Sequence, residues 1–469
     1  MKRRFACAQR RYLSMRMPSV REKGSMLAFT LFLAVLQWGC GTGDQHAKRT
    51  VVYNCPANAA EVAVLQKEIP LFADTSGVQI TLHPFTGQEK LYAMMAAGQA
   101  PDIFYTSSTI RDQLAAEGRL LDLRQVSEGD PFVDRLWPHI RQNSISPDGG
   151  WYSVGNWEFT CGVYYRKDLF DAAGIPYPDT SWTWEDCVAA ARALTVRAGP
   201  SEQPSRYGIF IGSHFVETLE LMHGSRFTPH ALTVNIPESS LEVYRKYIAL
   251  MEEGLMPDVR RVQAMGMQAP QLLQTGRVAM LVEAVPHQTL METLTVPWGL
   301  APLPRFAGHA PAYFRSASGG LSVSATTADP SSTWKALVWI IAGASIYQPN
   351  PVLRDADFVT GWEQRYPKLV GSGFRDVWDL SLKHNAGDPR FFVRYASWTS
   401  GPILEKLQPA LDQLWARQSS VEDLVQTARS INAGLRVHLE ETLRHRTLQP
   451  AFRAHLERAM EHLDEPASY

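Results

Sequence analysis

Between Thr50 and Leu123 the sequence switches repeatedly between the hydrophobic period of a strand and that of a helix, and this alternation limits the folds open to the chain. Thr50-Val51-Val52-Tyr53 is β-branched and aromatic, and Asn54-Cys55-Pro56 ends it. Residues 58–73 then place apolar side chains at helical spacing behind Asn58, a residue suited to capping a helix. Gly77–Leu82 reads as a second strand and residues 89–98 as a second helix. Pro101–Tyr105 forms a third strand that runs into the polar turn Thr106-Ser107-Ser108. A helix over residues 110–117 stops at Gly118. Three strand–helix units in a row imply a doubly wound parallel sheet, because parallel neighbours need a crossover and a helix usually supplies it. Ligands of such sheets collect beyond the carboxyl ends of the strands. That rule singles out Asn54, Thr106, Ser107 and Ser108.

The remaining chain continues in the same alphabet. Residues 151–154 and 162–165 read as strands flanking the polar-aromatic patch Asn156-Trp157-Glu158-Phe159-Thr160. Ser181–Asp186 opens a helix reaching about residue 194, with Glu185 and Asp186 near its positive end. A strand begins at Tyr207. Helices are predicted over 239–253, 269–275 and 331–342, and strands over 279–282, 298–301 and 321–323. The last hundred residues read as mostly helical, at 402–415, 420–434 and 453–463. A chain of 469 residues exceeds one ordinary core, so at least two lobes are expected.

The first 39 residues are compositionally separate. They hold eight Lys/Arg and one acid, Glu22, followed by the apolar run Met26–Leu36 and then Gln37-Trp38-Gly39-Cys40. A basic stretch, a short apolar run and a small-residue exit describe a secretory signal. The run is too short to span a bilayer, which takes about 20 apolar residues. Polar residues 40–49 read as a tether.

Removing residues 1–39 leaves 38 Lys/Arg against 46 Asp/Glu, a mildly acidic protein for which no nucleic-acid partner is expected. Cys40, Cys55, Cys161 and Cys187 remain, with no CxxC pair. If Cys40 carries lipid, at most one disulfide can form among the other three. The 13 His are scattered without metal-ligand spacing, and neither a metal site nor a cofactor is expected.

Several blocks together carry a resemblance. WYSVGNWEFTCGVYYRKDLFDAAGIPYPDTSWTWEDC supplies Trp151-Tyr152, Tyr164–Phe170, Ala173-Gly174 and Trp182 or Trp184 with Glu185. APDIFYTSSTIRDQLAAEGRLLDL, LLQTGRVAML, WGLAPLP, SGGLSVS and SSTWKALVWII follow the same family pattern in order. The chain resembles bacterial extracellular solute-binding proteins of family 1, the sugar-binding lipoproteins of ABC importers, closely over residues 50–345 and loosely beyond.

The resemblance implies an α/β fold of two lobes, doubly wound sheets joined by hinge crossovers with a ligand cleft between them, the periplasmic binding protein fold. Lobe one would comprise residues 50–160 plus 302–348, and lobe two 161–301 plus 349–469. It implies a monomeric, exported, non-enzymatic binding protein that delivers a sugar or polyol to a membrane permease. Cys40, where the pattern resembles a lipobox, would carry the lipid anchor; Trp38 and Gln37 depart from that pattern.

A sugar presents hydroxyls and one apolar face, which amides, carboxylates and flat aromatics match. The candidate ligand residues are Asn54, Thr106, Ser107, Ser108, Asn156, Trp157, Glu158, His214, Phe215, Glu283, Ser318 and Trp398. At Glu283 the chain reads Glu-Ala-Val-Pro-His where the family often has an acid or amide, Gly and Trp, which points to a different ligand. Two other classes fit less: a ligand sensor that signals to a receptor, and a glycoside hydrolase using Glu158 and Glu283, which would need the two carboxyls at a defined separation.

Overall fold

The computed structural model describes residues 49–461 apart from 85–86, 143, 147, 200–201, 226–232, 235, 312, 314, 317–318 and 385–396. The signal segment, residues 40–48 of the expected tether with Cys40, and Ser318 lie outside the described residues, and so does the side chain of Trp398; Arg49, expected in the tether, already opens the first strand.

Two sheets organise the chain. The first contains β1 (Arg49–Cys55), β2 (Val78–Pro84), β3 (Ile103–Thr106) and β9 (Gly320–Val323) in the order β2-β1-β3-β9. Strands β1, β2 and β3 are parallel, as the strand–helix alternation requires, and β9 is antiparallel to β3. The second contains β4 (Phe159–Arg166), β5 (Tyr207–Ile211), β6 (Val278–Val285) and β7 (Trp298–Pro302) in the order β5-β6-β4-β7, with β8 (Arg315–Ser316) pairing the start of β4. Here β5 and β6 are parallel while β4 runs against β6 and β7. The sheets are thus mixed. β4 and β9 arrive from the other sheet rather than through a crossover helix, so nothing obliges them to run parallel.

Helix ends follow the local chemistry. Asn58 caps Ala59–Ser76 in a capping box with Glu61, and Thr183 does the same with Asp186 for Trp184–Leu194. After β4 the helix Lys167–Ala173 makes two turns and ends at Gly174 in the left-handed region, φ 66°.

Residues 151–154 do not form the expected strand. Trp151 bridges Ile145, its carbonyl accepts from Leu123 and its N–H donates to Asp122, whereas Val154 bridges Leu321. Each residue pairs with a different neighbour, so no ladder forms. Trp151 is fully buried edge-on against Trp334.

The buried residues form clusters on each sheet. Val51, Ile80, Ile103, Leu321, Trp334 and Leu337 pack on the first, and Val163, Ile209, Met280, Tyr244 and Trp415 on the second. The tail, which the expected division gives entirely to lobe two, is shared. Helices Phe358–Arg365 and Phe374–Lys383 pack on the second sheet through Trp362, Phe374 and Trp378. The helix Pro450–Glu461 instead buries Phe452 and Leu456 against Phe104 and Leu114 of the first layer. Helical periodicity marks such a helix as amphipathic but does not say which apolar surface it covers.

Candidate functional site

The carboxyl ends of β1, β2 and β3 lie along one edge of the first sheet, where the antiparallel β9 begins. The carboxyl ends of β5 and β6 form an edge of the second, where β4 begins: Thr160 pairs with Val285 and Gly162 with Glu283. Residues 155–158 join the two edges, running from Val154 at its bridge to Leu321 directly into Phe159. Five residue steps span at most about 18 Å, so the edges are held close together. The chain also passes between the sheets from β8 to β9 and over 343–357. Gly319 and Gly320 permit the tight passage: a Cβ on Gly319 would stand 2.5 Å from the Thr106 carbonyl oxygen, and one on Gly320 2.5 Å from that of Val154.

The predicted residues of the first edge are mostly occupied. Asn54 is buried and its amide donates to the Pro84 carbonyl at 3.1 Å, tying β1 to β2. Thr106 is buried, its hydroxyl 2.7 Å from that of Ser322. Ser107 caps the helix Ser108–Ala116 and accepts from the Ile110 N–H, while Ser108 is exposed at its start.

The connection is more heavily committed. Asn156 is buried and its carbonyl accepts from the Asn350 amide at 3.1 Å, while the Tyr347 hydroxyl meets that of Tyr53 at 3.4 Å. Trp157 is half-buried, edge-on to Phe358 at 6.1 Å and tilted on Trp362 at 5.8 Å. The Glu158 side chain is 0% exposed and its Oε1 bonds to His139 Nε2. His139 belongs to the short helix Pro138–Gln142. Sequence reading missed it, because no spacing links a lone His to a Glu nineteen residues away.

On the second edge His214 is exposed, whereas Phe215 is buried in the core with Val216 and Leu219. Glu283 is half-buried and accepts from the Ala284 N–H at 2.9 Å. Burial, reinforced by the Glu283 charge, pushes the Cys161 thiol and the Tyr164 hydroxyl well above their usual ranges. Both stay neutral in the folded protein. The helix Ser397–Trp415, which carries Trp398, packs against Ser108–Ala116 of the first layer.

Trp182 and Trp184 are packing residues. The Trp182 indole donates to the Pro302 carbonyl at 2.8 Å and Trp184 stacks on Phe306. Cys55, Cys161 and Cys187 are buried free thiols. Among the described residues no group of three or more His, Cys, Asp or Glu could hold a metal, and no helix is long and apolar enough to cross a membrane.

Five of the sequence-predicted residues, Asn54, Thr106, Asn156, Glu158 and Phe215, are therefore buried. Ser107, Ser108, Trp157, His214 and Glu283 keep accessible surface. The arrangement offers hydroxyl, imidazole and carboxylate groups at the two edges and an indole on the connection between them.

Comparison with known proteins agrees with this architecture. An ABC substrate-binding protein of Listeria monocytogenes, solved in complex with cycloalternan, is 20% identical with a TM-score of 0.64, over 83% of this chain and 99% of that one. A solute-binding protein of Agrobacterium radiobacter K84, solved with ribitol, is 18% identical with a TM-score of 0.59, over 81% and 97%. One from Agrobacterium vitis S4, with bound D-mannitol, is 15% identical with a TM-score of 0.55, over 84% of this chain and 99% of that one. The sn-glycerol-3-phosphate-binding periplasmic protein UgpB of Rhizobium meliloti is 24% identical over 274 residues, 56% of this chain. The match spans 59% of that relative's length. The model of the bacterial extracellular solute-binding protein family matches residues 57–342. The chain belongs to the bacterial extracellular solute-binding protein family.

Proposed function

We propose that the protein binds a carbohydrate or related polyol between its two sheet layers and delivers it to the permease of an ABC importer. The observation that supports this reading is the short connection 155–158, which ties the carboxyl-end edge of the first sheet to the start of β4 in the second and carries the half-buried Trp157. In this reading Trp157, Ser107, Ser108, His214 and Glu283 face the ligand, and Ser318 and Trp398 remain candidates from the sequence. Asn54, Thr106, Asn156, Glu158 and Phe215 form the layer behind and hold the connection in place. In this reading residues 50–154 with 320–353 belong to one lobe and 159–316 with 358–435 to the other, which moves 302–316 from the expected lobe one to lobe two because β8 pairs β4 and Leu303 and Phe306 pack in the second core, and the remaining C-terminal helices rest on the first. Closure of the lobes excludes water from the ligand, a motion for which periplasmic binding proteins serve as a general example.

The ligand class is supported by the relatives, named for or solved with an oligosaccharide, two polyols and a polyol phosphate. The experiment is a thermal-shift screen of the chain lacking residues 1–39 against sugars, polyols and their phosphates. A ligand that binds only the folded state adds about 2.7 kcal/mol at a hundredfold excess over its Kd. A reproducible rise with one chemical class supports the reading, and a panel without any shift refutes it.

The protein is, in the same reading, an exported lipoprotein anchored through Cys40 that acts as a monomer without catalysis. Cys40→Ser is expected to move it from the membrane fraction to the soluble exported fraction. A variant that remains membrane-bound refutes the anchor.

A further inference from the structure

The helix Val421–His445 has buried residues in the cores of both layers. Val421, Leu424, Ala428, Ile431 and Leu435 belong to the core of the second sheet. Leu439, one turn further on, belongs to the cluster of Phe104, Leu114 and Leu120 on the first. Four residues of helix advance about 6 Å, so the handover between layers is abrupt. Each end is separately fixed. On the second layer Asn432 pairs with the Val234 backbone in both directions, at 2.7 and 2.9 Å. On the first, the chain turns back through Leu448, the Gln449 N–H donates to the Ala116 carbonyl at 2.7 Å, and Phe452 and Leu456 are fully buried.

We propose that this C-terminal helix pair is a brace that sets how far the two layers can separate. The three chain connections, at 155–158, between β8 and β9, and at 343–357, permit rotation. A helix anchored in both cores resists it, because opening must pull Leu439, Phe452 and Leu456 out of the first layer or shear them across it. Keeping such apolar side chains out of water is favourable, so their burial biases an opening equilibrium. The inference rests on the two-layer architecture and does not depend on which ligand the protein binds.

The test is the distance distribution between spin labels at Gln66 and Glu252, exposed positions on helices of the first and second layers, introduced as labelled unnatural amino acids so that the native thiols are spared. No ligand is needed. In the full chain a narrow distribution is expected. Deleting residues 447–469 removes the clasp and is expected to shift the distribution to longer distances and broaden it. A cooperatively folded deletion variant with an unchanged distribution overturns the proposal. Should the deletion prevent folding, Phe452→Ala/Leu456→Ala is read by the same criterion. Hydrogen exchange of the unaltered chain decides independently: the brace requires amides of 452–460 to be protected to the same degree as those of 431–442, and fast exchange throughout 452–460 overturns it.

Discussion

Asn350 donates from its amide nitrogen to the Asn156 carbonyl at 3.1 Å, although 194 residues separate the two in sequence. The same nitrogen donates to the Ile341 carbonyl at 2.9 Å, and the Asn350 oxygen accepts from the Val352 N–H. One fully buried amide thus stitches the connection at 155–158 to the one at 343–357. Ile341 retains Gln348 as a second donor, whereas Asn156 has no such alternative among the described bonds to its carbonyl.

Asn350→Ala is expected to lower stability by about 2 kcal/mol, since a buried acceptor left without its donor costs about 1–3 kcal/mol. Asn350→Asp should cost more, because its carboxylate would face two carbonyl oxygens. Urea denaturation at constant m-value measures both. Equal, near-zero losses in the two variants would show that the amide does not join the connections.

Trp157→Ala is expected to weaken binding of whichever ligand the screen identifies by at least about tenfold, or 1.4 kcal/mol. Because the indole also packs on Phe358 and Trp362, the variant should lose some thermal stability while remaining folded. Trp157→Phe should recover most of that stability. Titration calorimetry with circular dichroism separates the effects, and an unchanged Kd removes Trp157 from the ligand face.

The buried His223 ring lies 4.3 Å from that of His309 and 3.2 Å from a Glu242 oxygen. Burial, with help from His309 and Lys246, holds its pKa below the ordinary histidine value, and Glu242 opposes the shift. The unfolded chain therefore takes up a proton that the folded one resists. Stability is unaffected above about pH 6.5 and falls as the pH drops from there through the lower folded value. His223→Phe should flatten that part of the profile. A variant whose stability between pH 7 and 5 parallels the parent shows that His223 does not carry the dependence.

Cys55, Cys161 and Cys187 are expected to resist alkylation in the folded protein at pH 8. All three are buried, and burial pushes the Cys187 thiol up to about 12. Thiolate is the reactive form, so native reactivity should be far below that in denaturant. Mass spectrometry after an iodoacetamide pulse counts the modified residues. Rapid labelling of any of the three under native conditions contradicts its burial.

Much of the architecture is legible in the residues themselves. The strand–helix alternation from Thr50 to Leu123 gives the three parallel strands, because a period of two and a period of 3.6 cannot be exchanged without exposing an apolar face. Capping residues such as Asn58 and Thr183 fix where helices start, and Gly174 fixes where one ends, through bonds or dihedral angles available only locally. The polar turn after β3 and the aromatic patch at 156–160 are likewise visible as departures from a buried pattern.

What the tertiary structure alone decides is which groups are spent in holding the fold. Glu158 and Asn156 look from the sequence like free polar groups at a crossover. Yet His139, nineteen residues back, bonds the Glu158 carboxylate, and Asn350, 194 residues on, donates to the Asn156 carbonyl. The destination of the last helices is settled in the same way. Phe452 and Leu456 give an apolar face at helical spacing, but the surface it covers, against Phe104 and Leu114, exists only once strands far apart in sequence have assembled. Local sequence sets dihedral angles and periodicity through short-range sterics and hydrogen bonds. Burial and partnership depend on packing between segments hundreds of residues apart, which no local pattern encodes.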